Sequence, residues 1–194
     1  MSERLRPQRC RIIWKKGIAH VRDPIRNLLL RATHEERARQ AVVSWLIRSK
    51  SWPSRRISTE YNLLRDRLGR GRIDIALMRP ATPKERGVDP GAENVFVGVV
   101  EVKRAGNLLA DHVVDQALKY AEAIQARFVG VTNGRDFYTL EREPQKKNYV
   151  NKQRFPTYGQ ILRNESLPPE PPADPFVRPS WAQLNDPSFL RRET

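Results

Sequence analysis

A single cysteine, Cys10, stands in 194 residues. It excludes an internal disulfide framework and any cysteine-based zinc site, fits a reducing compartment, and reads as an incidental thiol. Histidine is almost as scarce. His20, His34 and His112 do not cluster along the chain, which argues against a histidine metal site or a histidine general base. The longest apolar run, VFVGVV, falls far short of the ~18 to 20 residues that a membrane span requires. The opening stretch, MSERLRPQRCRIIWKKG, has charge but no apolar h-region, so a cytosolic protein is expected rather than a secreted one. The dipeptide Gly-Lys is absent, so these residues hold no phosphate loop and no nucleotide-driven motor of that kind.

Acidic residues are also in deficit, and unevenly so. The chain has 36 Lys and Arg against 22 Asp and Glu, a net charge of +14. Residues 1–72 contain 19 of the cations and only 6 of the acids, whereas residues 73–194 are nearly balanced. Of the 36 cations 27 are arginine, whose planar fork suits phosphate oxygens. Compositional bias alone would spread arginine evenly, so the N-terminal excess points to a polyanionic partner, with a merely solvated surface as the alternative.

Length bounds the chain to about one domain. Residues 1–32 read as a basic arm followed by a hairpin, RIIW and IAHV joined by a KKG turn. Thr33 and Glu36 have capping-box spacing, and Ala38, Ala41, Val42, Trp45 and Leu46 recur at helical spacing, which predicts a helix over 34–49 stopped before Pro53. Strands are expected at 56–63, 72–78 and 95–103. The last is apolar on both faces, as a covered central strand would be. Residues 79–93 are Pro-, Gly- and charge-rich and read as a surface loop. A second helix is expected over 108–126 with Val113, Ala117, Tyr120 and Ile124 in one stripe. The strands RFVGVT and DFYTLE then flank Asn133-Gly134, a hairpin signal. Core residues are thus expected over 33–163. Residues 164–194 hold seven of the fifteen prolines and should run extended, with Phe176, Trp181, Phe189 and Leu190 suggesting docking on the core or on another subunit.

Chemistry concentrates on the strand that ends Glu101-Val102-Lys103. Alternation puts Glu101 and Lys103 on one side, a charged pair emerging from a buried run. With 22 acids and 9 lysines, about one acid-x-Lys match arises by chance, so placement carries the weight. Asp74 lies in the neighbouring apolar strand RIDIAL and can bring a second carboxylate to the same point. Two carboxylates at adjacent strand ends suit a hard divalent cation such as Mg²⁺, with Lys103 placed to orient or deprotonate water and to stabilise developing charge. A rim salt bridge is the structural alternative. In the next helix His112, Gln116 and Tyr120 fall on one line.

Asp74, Glu101-x-Lys103 and Gln116-x-x-x-Tyr120 resemble the PD-(D/E)XK nuclease superfamily. The longer run from Thr33-x-x-Glu36 through Trp45-Leu46-Ile47, Trp52-Pro53, Thr59-Glu60, RIDIAL, VEVK and Gln116-x-x-x-Tyr120 to VTNG is similar to the N-terminal nuclease domain of type I restriction enzyme R subunits, over about residues 10–141. The resemblance implies an α/β (α+β) fold with an αβββαβ core, a mixed sheet between helices. It also implies Mg²⁺, with Mn²⁺ as a substitute, bound through Asp74 and Glu101, Lys103 as catalytic lysine, and Gln116 and Tyr120 near bound DNA. Ile73 replaces the proline frequent before the first acid. A further acid often comes from the first helix or strand of such cores. Glu36, otherwise a capping partner, and Glu60, otherwise an exposed strand acid, are both open candidates. The function expected is a metal-dependent DNA endonuclease of restriction, defence or DNA-processing type, acting as a homodimer or beside a motor or recognition subunit. The alternatives are a non-catalytic nucleic-acid-binding subunit of nuclease-like fold and an RNA-directed nuclease.

Overall fold

The computed structural model describes residues 3–4, 10–64, 67–89, 91–104, 109–143, 145 and 148–169. The strand Asn94–Val102 organises the rest because both of its faces are apolar and both are covered. In chain order the strands are β1 Glu3–Arg4, β2 Ile12–Lys15, β3 Ile18–Asp23, β4 Leu28–Arg31, β5 Ile57–Asn62, β6 Arg72–Pro80, β7 Asn94–Val102, β8 Phe128–Thr132, β9 Asp136–Arg142 and β10 Tyr149–Lys152. The helices are α1 His34–Ser49, α2 Pro83–Val88, α3 Asp111–Ala123 and α4 Tyr158–Leu162. A seven-stranded sheet runs in the order β1-β9-β8-β7-β6-β5, with β10 also on β9, and a separate three-stranded sheet runs β2-β3-β4.

Among the described residues only β7 and β8 pair in parallel within the large sheet, and α3 makes the crossover between them. The series α1, β5, β6, β7, α3, β8 is the expected αβββαβ core, and the sheet is mixed and flanked by helices as expected. Helix α1 lays Val42, Val43, Trp45 and Leu46 on one face, against Ile75, Leu77, Val100, Phe137 and Phe155. Helix α3 covers the other face with Val113, Ala117, Ala121 and Ile124 on Val99, Val129 and Val131. Each large apolar side chain buried this way contributes roughly 1.5–3 kcal/mol.

The hairpin β2–β3 forms through Lys16 and Gly17, with φ of 50° and 75°, the mirror-image geometry that suits two-residue turns. Several elements depart from expectation. Strand β4 was not anticipated, nor were β10 and α4. The surface loop at 79–93 contains α2, closed by a capping box of Thr82 and Glu85 with Pro83 in its first turn. The Asn133-Gly134 connection is wider than a two-residue turn. Thr132 pairs with Phe137, and the Asn133 side chain accepts from the backbone N–H of Arg135 and Asp136 at 3.1 and 2.9 Å.

Packing continues beyond residue 163. Leu167 is buried in the main core, Lys152 Nζ donates to its carbonyl, and Pro169 bridges to Lys152. The expectations for Phe176, Trp181, Phe189 and Leu190 fall outside the described residues. No helix among the described residues is long and apolar enough to cross a membrane.

Candidate active site

Strands β6 and β7 pair up to Ile75 opposite Val100 and then part. The next residues are Asp74 and Glu101, so both carboxylates stand at the fork. Asp74 compensates for the lost ladder itself: its Oδ2 accepts from the Val102 N–H at 2.9 Å. On the other side of β6, the pairs Thr59 with Ile75 and Tyr61 with Ile73 place Glu60 beside Asp74. Glu60, Asp74 and Glu101 therefore occupy one row across three strands.

Glu101 is buried, and its Oε1 accepts from Lys103 Nζ at 2.7 Å and from Gln116 Nε2 at 3.0 Å. Its Oε2 is buried without a hydrogen-bond partner among the described residues. Burial first, and the charge of Asp74 second, push the Glu101 carboxyl up to about 7. Burial pulls the Lys103 ammonium down. The bond to Glu101 and the charges of Glu101, Asp74 and Glu35 outweigh it, so Lys103 lies above the ordinary lysine range and is a cation at neutral pH.

Gln116 Nε2 also lies 3.3 Å from Tyr120 Oη, which makes helix α3 a direct neighbour of the two acids. The Tyr120 ring rests on Gly71, where φ is 122° and a Cβ would come within 2.7 Å of the ring. Gly71→Ala combines a disfavoured backbone with a clash. It should cost about 1–3 kcal/mol and displace the tyrosine, read as a lower melting temperature and altered tyrosine resonances.

Sequence reasoning missed the residue that gathers the remaining acids. Arg39, on α1, is buried, and its Nη2 donates to Asp74 Oδ1 at 3.0 Å. Its Nη1 pairs with Glu36 Oε2 and with Glu60 Oε1, the latter at 3.0 Å, and Nη2 reaches Glu35 Oε1 at 3.3 Å. Burial depresses this guanidinium, but Asp74, Glu36 and Glu60 together hold it above the usual arginine range. Glu36 is not the carboxylate of a capping box. Its backbone N–H donates to Thr33 Oγ1, while its side chain accepts from Arg39 and from Gln40 Nε2. Glu60 has φ of 53°, a left-handed conformation costly for a side-chain-bearing residue, and is held there by Arg26, Arg39 and Arg72. Glu35, half exposed, is the helix acid whose charge reaches Glu101 and Lys103. The signal for Arg39 was its spacing of four and three from Glu35 and Glu36.

Residues 34–156 match the family described as type I restriction enzyme R protein N terminus (HSDR_N). The chain belongs to this family. The matched stretch begins at α1 and contains Asp74, Glu101, Lys103, Gln116 and Tyr120 as well as Arg39, so the R-protein N-terminal family supplies the frame for the whole cluster. No curated protein and no solved structure matches the chain. Among the described residues, no group of three or more His, Cys, Asp or Glu is disposed to hold a metal ion.

Proposed function

We propose that the chain is a Mg²⁺-dependent DNA endonuclease of the type I restriction R-protein kind, with Asp74, Glu101 and Lys103 as its reactive group. The observation that carries this is the Glu101 carboxylate, buried beside Asp74 with one oxygen lacking any donor. An orphaned buried acceptor costs about 1–3 kcal/mol, and a hard cation satisfies it. A magnesium ion takes only one or two protein carboxylates and fills its other positions with water and substrate phosphate, so the residues present fit it. Asp74 and Glu101 would hold the ion, which when bound supplies Lewis-acid polarisation of the scissile phosphate; Mn²⁺, which also favours oxygen ligands, should substitute.

The side chains do the rest. Lys103, charged at neutral pH, donates hydrogen bonds to attacking water and to a phosphate oxygen as negative charge grows on it. Gln116 fixes the Glu101 carboxylate through Oε1 and leaves Oε2 without a donor, available to the ion. Tyr120, hydrogen-bonded to Gln116, would contact the DNA strand. One such pocket cuts one strand. A double-strand break then calls for a second copy or a partner subunit carrying motor or recognition elements, and light scattering of the purified chain, alone and with DNA, distinguishes these.

The test is incubation with linear, circular and single-stranded DNA and with RNA, in Mg²⁺ and in chelator. DNA cleavage that needs the ion is expected, and no cleavage of any DNA in Mg²⁺ or Mn²⁺ overturns the reading. A companion measurement uses stability. With the folded Glu101 titrating near 7 against an ordinary value of 4.5, native protein holds the extra proton between those pH values. Stability therefore declines as pH rises through that window, by about 3 kcal/mol in total. In chelator, Glu101→Gln should melt higher than the unaltered chain at pH 8 and nearly level with it at pH 4.5, while cleavage in Mg²⁺ is lost. Equal melting at both pH values would show that Glu101 ionises freely.

A further inference from the structure

The three-stranded sheet β2-β3-β4 precedes the family match at residues 34–156 and has a face of its own. Alternation along β3 buries Val21 and Asp23 and turns Ile18, His20 and Arg22 outward. Pairing of Lys15 with Ile18, Leu29 with Arg22 and Arg31 with His20 adds Lys15, Leu29 and Arg31 to that outward face. The face holds no acid. The one acid within residues 11–31 is Asp23, on the buried side, where Arg26 Nε and Thr59 Oγ1 donate to it at 2.7 and 2.9 Å. Lys15 and Arg31 have no ion-pair partner among the described residues, and Arg22 is aimed by a hydrogen bond from Nε to Asn27 Oδ1 at 3.1 Å. Between these cations Ile18 and Leu29 are 45% and 40% exposed.

Cations crowded on one small sheet without counter-charge repel one another and are stabilised by an external anion of matching extent. Exposed apolar side chains among them suit a polymer that alternates phosphate with less polar sugar. The sheet is also anchored to the candidate site. Asp23 holds Thr59 on β5, and Arg26 donates to Glu60 at 3.0 Å, the same Glu60 that pairs with Arg39 beside Asp74. An anionic strand bound on this face would be held in fixed relation to the two carboxylates.

We infer that the outward face of β2-β3-β4 is a second nucleic-acid contact that takes the phosphate backbone away from the reacting bond. The inference rests on the reading of the chain as a DNA nuclease for its choice of polyanion. The test uses the full chain in chelator, which withholds the proposed ion, and measures affinity for a 30-base-pair duplex across a salt series. Lys15→Glu/Arg22→Glu/Arg31→Glu and the milder Lys15→Gln/Arg22→Gln/Arg31→Gln are each checked for folding by circular dichroism. Loss of three phosphate contacts should flatten the slope of log affinity against log salt by about 2 to 3. An unchanged slope in either folded variant overturns the inference. So does a variant that keeps its DNA slope but loses binding to phosphatidylserine vesicles, which would assign the face to a membrane surface. If the unaltered chain cuts no DNA yet the flattened slope is found, the contact surface stands and the nuclease reading falls.

Discussion

Replacing Lys103 with alanine is expected to lower the rate of DNA cleavage by about 10²–10³-fold, the usual effect of deleting one donor aimed at developing negative charge. DNA affinity in chelator should stay within about threefold, because Lys103 is one cation among many in a chain of net charge +14. The substitution also takes the 2.7 Å partner from Glu101, leaving that buried carboxylate to Gln116 alone. Its carboxyl should then hold a proton to still higher pH, so any residual cleavage should rise with pH over a more alkaline range. A variant that cuts as fast as the unaltered chain would remove Lys103 from the chemistry.

Arg39→Met should have the largest effect on stability. The guanidinium is buried among Asp74, Glu36 and Glu60, and its removal strands like charges in a place water reaches poorly. Breaking such a pair from one side costs about 3–5 kcal/mol, which in a chain of this size lowers the melting temperature by roughly 6–20 °C. The deficit should shrink as pH falls toward 4 and the stranded carboxylates take up protons. It should also shrink on adding Mg²⁺ or Ca²⁺, since an acid cluster without its arginine attracts a divalent ion. Arg39→Lys keeps the charge but not the fork and should fall between the two. A melting temperature within 2 °C of the unaltered chain at pH 7 would mean that the acids are not held by Arg39.

The parts of the fold that could be read from the chain are those whose pattern repeats. Helix α1 begins at His34 after the Thr33 cap and ends at Ser49, as the periodicity of Val42, Trp45 and Leu46 indicates, and β7 was evident from its uninterrupted apolar run. Strand β4 escaped because Leu28, Leu29 and Leu30 do not alternate in character, and Leu28 and Leu29, on opposite faces, are both exposed. Helices α2 and α4 are short, yet both announce themselves through capping boxes, Thr82 with Glu85 and Thr157 with Gln160, hidden by nearby prolines. The meeting of Asp74 with Glu101 was legible because both sit at the ends of apolar strands. Arg39 was less so: its spacing from Glu35 and Glu36 hints at an ion pair on α1, but only the acids that reach it from β5 and β6 mark it off from the other 26 arginines.

The hydrogen bond from the Val102 amide to Asp74 Oδ2 ties the end of the central strand β7 to the charge of the pocket. Where β7 pairs with β6 and β8 the amide protons are locked by neighbouring backbone, and only global or large local opening releases them. At Val102 the lock is a side chain whose partners also include Arg39. Hydrogen exchange at this one amide thus reports how firmly the Asp74 carboxylate is engaged, residue by residue and without a substrate. The end of the strand works as a built-in gauge of the site's occupancy.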